Sequence, residues 1–145
     1  MHLPRDLNCF KNWDSHLKAS SRLKSIGYAM RGLSFMLKTQ HNAWLHLAAT
    51  VLVILAASFL QVRLEDWRWL IVAMVMVWVA EAFNTAVEYI CDVVSPGYSE
   101  AVKHAKDIAA GAVLVCAFGA AVIGFLTLWP YVELMLDRFH GPVSL

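Results

Sequence analysis

Charge is scarce in this chain. Asp, Glu, Lys and Arg make up 16% of its 145 residues, and apolar or aromatic residues 59%. A soluble domain carries about 25% charged residues, so an ordinary soluble fold is excluded. The net charge of only +1 says little about partners, and no basic stripe suggests nucleic acid. Cysteine is scarce too. Cys9, Cys91 and Cys116 are three in number, an odd count, and no pair has metal-ligand spacing. They are expected to be free thiols, with Cys91 and Cys116 acting as small hydrophobes on or near spans. The N-terminal stretch has no compact apolar core followed by a small-residue cleavage site, so no signal peptide is expected. The first span is then the uncleaved insertion signal. No G-x-x-x-x-G-K-[ST] loop occurs, and there is no internal repeat or low-complexity tract.

The sequence has instead long apolar runs. Several approach the roughly 20 residues needed to cross a bilayer. They predict an all-α integral membrane protein with three transmembrane helices, about 42–61, 67–91 and 107–129, plus an N-terminal amphipathic surface helix. Length fits one domain, taken as 20–130, with an extension over 1–19 and a tail over 131–145. The surface helix begins near Ser20, where Leu23, Ile26, Met30, Leu33 and Leu37 recur among Arg22, Lys24, Arg31 and Lys38. Such a basic helix either lies on a membrane or packs on the protein's own loops. Trp44, Trp67 and Trp69 stand where interfacial rings anchor spans. Ala110, Ala117, Ala121 and Gly124 share a face of the third span, which suits close helix packing in lipid.

Basic residues set the orientation. Arg5, Lys11, Lys18, Arg22, Lys24, Arg31 and Lys38 all precede the first span. The positive-inside rule puts the N-terminus in the cytoplasm. Three spans then put the loop at 93–105 there as well, and the C-terminus outside.

The chemistry gathers on one stretch, Glu81 to Asp92, which continues the apolar run from Trp69 to Ala80 without a turn signal. At about 100° per residue, Glu81, Asn84, Glu88 and Asp92 fall within roughly 80° of one another, with Thr85 beside them. A carboxylate facing lipid costs roughly 2.5–3.5 kcal/mol on insertion scales. The stripe must therefore face protein, water, a cation or a substrate, or else emerge as ordinary surface acids at a helix end. Two such acids can divide a phosphoryl transfer. One takes a proton from an attacking hydroxyl, and another holds the magnesium that neutralises phosphate charge. Lys106 beside Asp107 offers a positive partner, and Ser95-Pro96-Gly97 a close backbone approach. The spacing alone says only that acids cluster at a membrane surface.

The pattern Glu81-x-x-Asn84-Thr85-Ala86-Val87-Glu88-x-x-x-Asp92, followed by Ala105-Lys106-Asp107-x-Ala109-Ala110-Gly111, resembles the prokaryotic diacylglycerol kinase and undecaprenol kinase family. Gly27-Tyr28-Ala29-x-x-Gly32 and Asn42-x-x-x-His46 fit it too, and the resemblance covers roughly 20–130. It implies a homotrimeric lipid kinase of the inner, cytoplasmic membrane, which uses ATP and magnesium to phosphorylate diacylglycerol or undecaprenol. By position it implies that Glu81 is the catalytic base and Asn84 an active-site amide. Glu88 binds metal and nucleotide. Tyr28, Asp92, Gly97, Tyr98, Ser99, Lys106 and Asp107 complete the nucleotide site. One departure stands out: Gln40 occupies the position where the family often has a second metal-binding glutamate. An amide oxygen can ligate a cation but adds no charge. His41 and His46 are read as interfacial or packing residues, because hard magnesium seldom selects imidazole. The competing reading is a non-catalytic membrane subunit, or a cation or proton carrier. A carrier needs a polar path through the bilayer, and these acids cluster at one end.

Overall fold

The computed structural model describes residues 19–140. Four helices follow in order: α1 (Ala19–Thr39), α2 (His41–Phe59), α3 (Leu64–Val94) and α4 (Glu100–His140). No strand occurs among the described residues. Cys9 and the extension before Ala19 lie outside them. The chain divides after Lys38 into two compact units. In the first, α1 carries Ile26, Met30 and Leu33 exposed beside its basic residues, and the Arg31 guanidinium lies over the Tyr28 ring at 5.7 Å.

The second unit holds three helices long and apolar enough to cross a membrane. α4 packs along α3, and α2 meets α3 over a shorter stretch. Outward-facing Leu52, Leu55, Phe59, Ile71, Phe118 and Leu126 are exposed, as lipid-facing helices require. α3 has 31 residues, or about 46 Å at 1.5 Å each. A hydrocarbon core of roughly 30 Å cannot cover it all, so part of α3 extends beyond that core.

The far end of the bundle is tied by packing. Ala57, Val62 and Leu70 form a buried core, with Val53, Trp67, Met74, Leu128 and Tyr131 against it. Trp67 is thus a packing residue here, whereas Trp69 is 60% exposed. Between α2 and α3 the chain turns at Gln61, whose φ is 53°. Gln61 N–H donates to Ser58 O at 3.2 Å and Val62 N–H to Ala57 O at 3.0 Å. This pair of bonds is a Schellman stop, a place where glycine is usual. A side chain held left-handed costs about 1–2 kcal/mol. Gln61→Gly is therefore expected to raise stability by roughly 0.5–1 kcal/mol after glycine's own entropy cost, read as thermal unfolding in detergent.

α4 is longer than its apolar centre at both ends, because a helix need not stop where lipid does. It starts at Glu100, where Ser99 O accepts from Lys103 N–H at 2.9 Å. It also runs through Pro130, where the sequence suggested a tail. Proline costs one backbone bond, and contacts beyond it hold the helix. Trp129 Nε1 donates to Glu133 Oε1 at 2.7 Å, and the Tyr131 hydroxyl bonds Asp66 on α3.

Candidate functional site

Glu81 is 1% exposed, and Asn84 and Thr85 on the next turn are buried with it. The Thr85 hydroxyl donates to Glu81 O at 2.9 Å, which leaves the carboxylate itself unengaged. Among the described residues neither Glu81 carboxylate oxygen nor Asn84 Oδ1 has a hydrogen-bond partner. A buried acceptor without a donor costs about 1–3 kcal/mol, and more when charged. Three such acceptors within one turn are suited to a hydroxyl, a proton or a cation.

Glu88, one turn further along, has the opposite surroundings. Asn84 Nδ2 donates to its Oε1 at 3.0 Å, and Gln40 Nε2 donates to its Oε2 at 2.9 Å. Gln40 has extended backbone (φ −102°, ψ 117°) just before α2 and makes no capping bond with its side chain. The break in the helix thus sends its amide across to α3. The Glu88 carboxyl thus accepts from two neutral donors on two segments. Asp92, the last acid of the stripe, is exposed and accepts from Lys106 Nζ of α4 at 2.5 Å. Lys103 Nζ donates to Asp107 Oδ2, also at 2.5 Å.

The stripe is therefore graded, from sealed Glu81 through clamped Glu88 to exposed Asp92. Lys106 is joined to it through Asp92, not through its chain neighbour Asp107. Gly97 and Tyr98 lie in the link between α3 and α4, with Tyr98 88% exposed and Ser95 Oγ donating to Gly97 O at 3.3 Å. Tyr28 belongs to the first unit.

Sequence reasoning gave His46 no role at the site. Its Nε2 is 3.7 Å from Glu81 Oε2. Around its backbone, Trp78 Nε1 on α3 donates to Thr50 Oγ1 at 3.0 Å, and that hydroxyl donates to the His46 main-chain O at 2.7 Å, which ties this part of α2 to α3. The available signal was its heptad-like position in Asn42-x-x-x-His46, which brings no carboxylate into local register. His46 also lines a cavity of about 480 Å³ between α2, α3 and α4. Apart from His46, Thr50 and Trp129, the lining is apolar or small. Ala117, Ala121 and Gly124 form part of it. Part of the small-residue face of the third span thus floors this cavity.

Donor chemistry fits magnesium. Carboxylate and amide oxygens are hard ligands, and magnesium is usually held by one or two carboxylates with substrate phosphates and waters. Among the described residues no three His, Cys, Asp or Glu side chains gather into a cage, so the protein would supply only part of the coordination shell.

A helical membrane protein with a sealed carboxylate beside a clamped one, at the end of its central span, is built like a membrane-embedded enzyme. Residues 27–128 match the family described as prokaryotic diacylglycerol kinase. Relatives include a diacylglycerol kinase of Synechocystis, 39% identical over 120 residues, covering 81% of this chain and 69% of that protein. An undecaprenol kinase of Bacillus subtilis is 31% identical over 107 residues, covering 74% and 87%. A diacylglycerol kinase of Escherichia coli is 28% identical over 116 residues, covering 75% and 89%. The chain belongs to the prokaryotic diacylglycerol kinase family and is a lipid kinase.

Proposed function

We propose that this lipid kinase moves the γ-phosphate of ATP to the hydroxyl of a membrane lipid alcohol, diacylglycerol or undecaprenol, at the cytoplasmic surface of the inner membrane. The observation that carries the reading is the difference between two glutamates one helical stripe apart. Glu81 is sealed and its carboxylate has no hydrogen bond, and Glu88 is held by two amides. Two carboxylates in two environments take two roles. Glu81 accepts the hydroxyl proton, and the alcohol oxygen then attacks phosphorus. Asn84 spans both, with its Nδ2 on Glu88 and its Oδ1 unpartnered toward the site. Glu88 would hold the metal, with Gln40 turning its amide oxygen inward. When bound, magnesium neutralises the negative charge that the phosphates bring together. Lys106, held by Asp92, presents its ammonium to the nucleotide, with Asp107 and Gly97–Ser99 as further contacts. The apolar cavity beside His46 suits the hydrocarbon part of the acceptor. Sites of this kind are completed between copies in a homotrimer.

Purified protein in micelles, given γ-labelled ATP and either alcohol, tests the proposal. Label should enter the lipid phase with one or both, and chelation of magnesium should stop it. No label with either alcohol would overturn the reading.

Gln40 gives a sharper test of the metal's place. Gln40→Glu adds a charged ligand, and charge count tunes affinity. The magnesium concentration for half-maximal rate is expected to fall roughly tenfold. In chelator the same variant should melt earlier than the parent, because two carboxylates then face each other. An unchanged magnesium titration would remove Gln40 from the metal site.

A further inference from the structure

Glu81 can accept a proton, but its burial gives it no direct route to pass one on. It is 1% exposed and is absent from the lining of the 480 Å³ cavity. His46 lies between. Its side chain is 17% exposed, it lines that cavity, and its Nε2 is 3.7 Å from Glu81 Oε2. That gap exceeds a hydrogen bond by about 0.7 Å. Among the described residues no other cationic side chain pairs with Glu81. Thr50, the nearby hydroxyl in the lining, already donates to His46 O and accepts from Trp78. Ala49, Val53, Leu70 and Val77 offer no acceptor.

We infer that His46 is the positioning partner of Glu81 and the group that carries its proton away. The inference rests on the kinase reading above. During transfer the alcohol oxygen forms a bond to the γ-phosphorus as the bridging oxygen–phosphorus bond to the β-phosphate breaks, leaving nucleoside diphosphate. The hydroxyl proton passes to Glu81 Oε2, then to His46 Nε2. The imidazolium loses it to water once the lipid product has left the cavity, and both groups return to their starting states. Between turnovers the imidazole fixes the orientation of a carboxylate that has no other partner.

His46→Gln keeps size and polarity but cannot carry a proton. It is expected to lower kcat by about 10²-fold while the KM values for ATP and lipid stay unchanged. In His46→Ala, added imidazole should restore part of the lost rate. A readout independent of turnover is infrared spectroscopy of the resting protein in micelles. The Glu81 carboxyl band, identified by its loss in Glu81→Gln, should move in His46→Gln. An unmoved band, or a His46→Gln enzyme with parental kcat, would overturn the inference while the parent still phosphorylates lipid. A parent that phosphorylates neither alcohol would instead sink the kinase reading, and the infrared shift would stand apart from it.

Discussion

Glu81→Gln is expected to lower the rate of phosphate transfer by about 10²–10⁴-fold and leave ATP binding unchanged. The amide is nearly isosteric with the carboxylate, so packing around the buried residue is kept, but it has no capacity to take the hydroxyl proton. Loss of an interaction needed only in the transition state falls on kcat, not on ground-state affinity. A second signature should accompany it. The carboxylate is buried with neither oxygen hydrogen-bonded, an arrangement that costs stability for the sake of activity. The variant should therefore unfold at a temperature equal to or higher than the parent's. Initial rates, nucleotide binding by calorimetry and thermal unfolding check the three parts together. Retained turnover would remove Glu81 from the role of base.

Glu88→Gln should fail in a different way. Its carboxylate is held by Gln40 and Asn84 at 2.9 and 3.0 Å, ready for a cation. Replacing it with an amide removes the one charge at the proposed metal position and places three amides together. The magnesium concentration for half-maximal rate is expected to rise at least about tenfold, and the rate at saturating metal should recover in part. Glu81→Gln should leave that magnesium requirement unmoved. The two variants thus separate proton acceptance from metal binding about two turns apart on one helix. An unchanged magnesium titration in Glu88→Gln would contradict the assignment.

Much of this architecture is written in local pattern. Apolar runs of span length and the acid spacing of Glu81, Asn84, Glu88 and Asp92 both follow from helical period, which a sequence displays directly. The contrast between the two glutamates does not. It arises because Gln40, 48 positions away, leaves helix α1 in extended backbone and reaches Glu88. Lys106 pairs with Asp92 across the α3–α4 link, although its chain neighbour is Asp107. His46 was set aside because imidazole is a poor magnesium ligand, an argument that is sound for metal and silent about protons. The alanine and glycine face of α4 has the spacing of a packing seam, and only the placement of three helices shows a cavity over it. In each case the deciding partner comes from another element, beyond the reach of a periodicity of three or four.

Label transfer in the parent and in Glu81→Gln, measured side by side in one membrane mimetic with magnesium and γ-labelled ATP, bears most directly on the whole account. Phosphate should reach the lipid alcohol from the parent and stay on nucleotide in the variant, although the variant binds ATP as tightly. Lipid labelled at comparable rates by both proteins would show that the sealed carboxylate of the central span does not drive the chemistry.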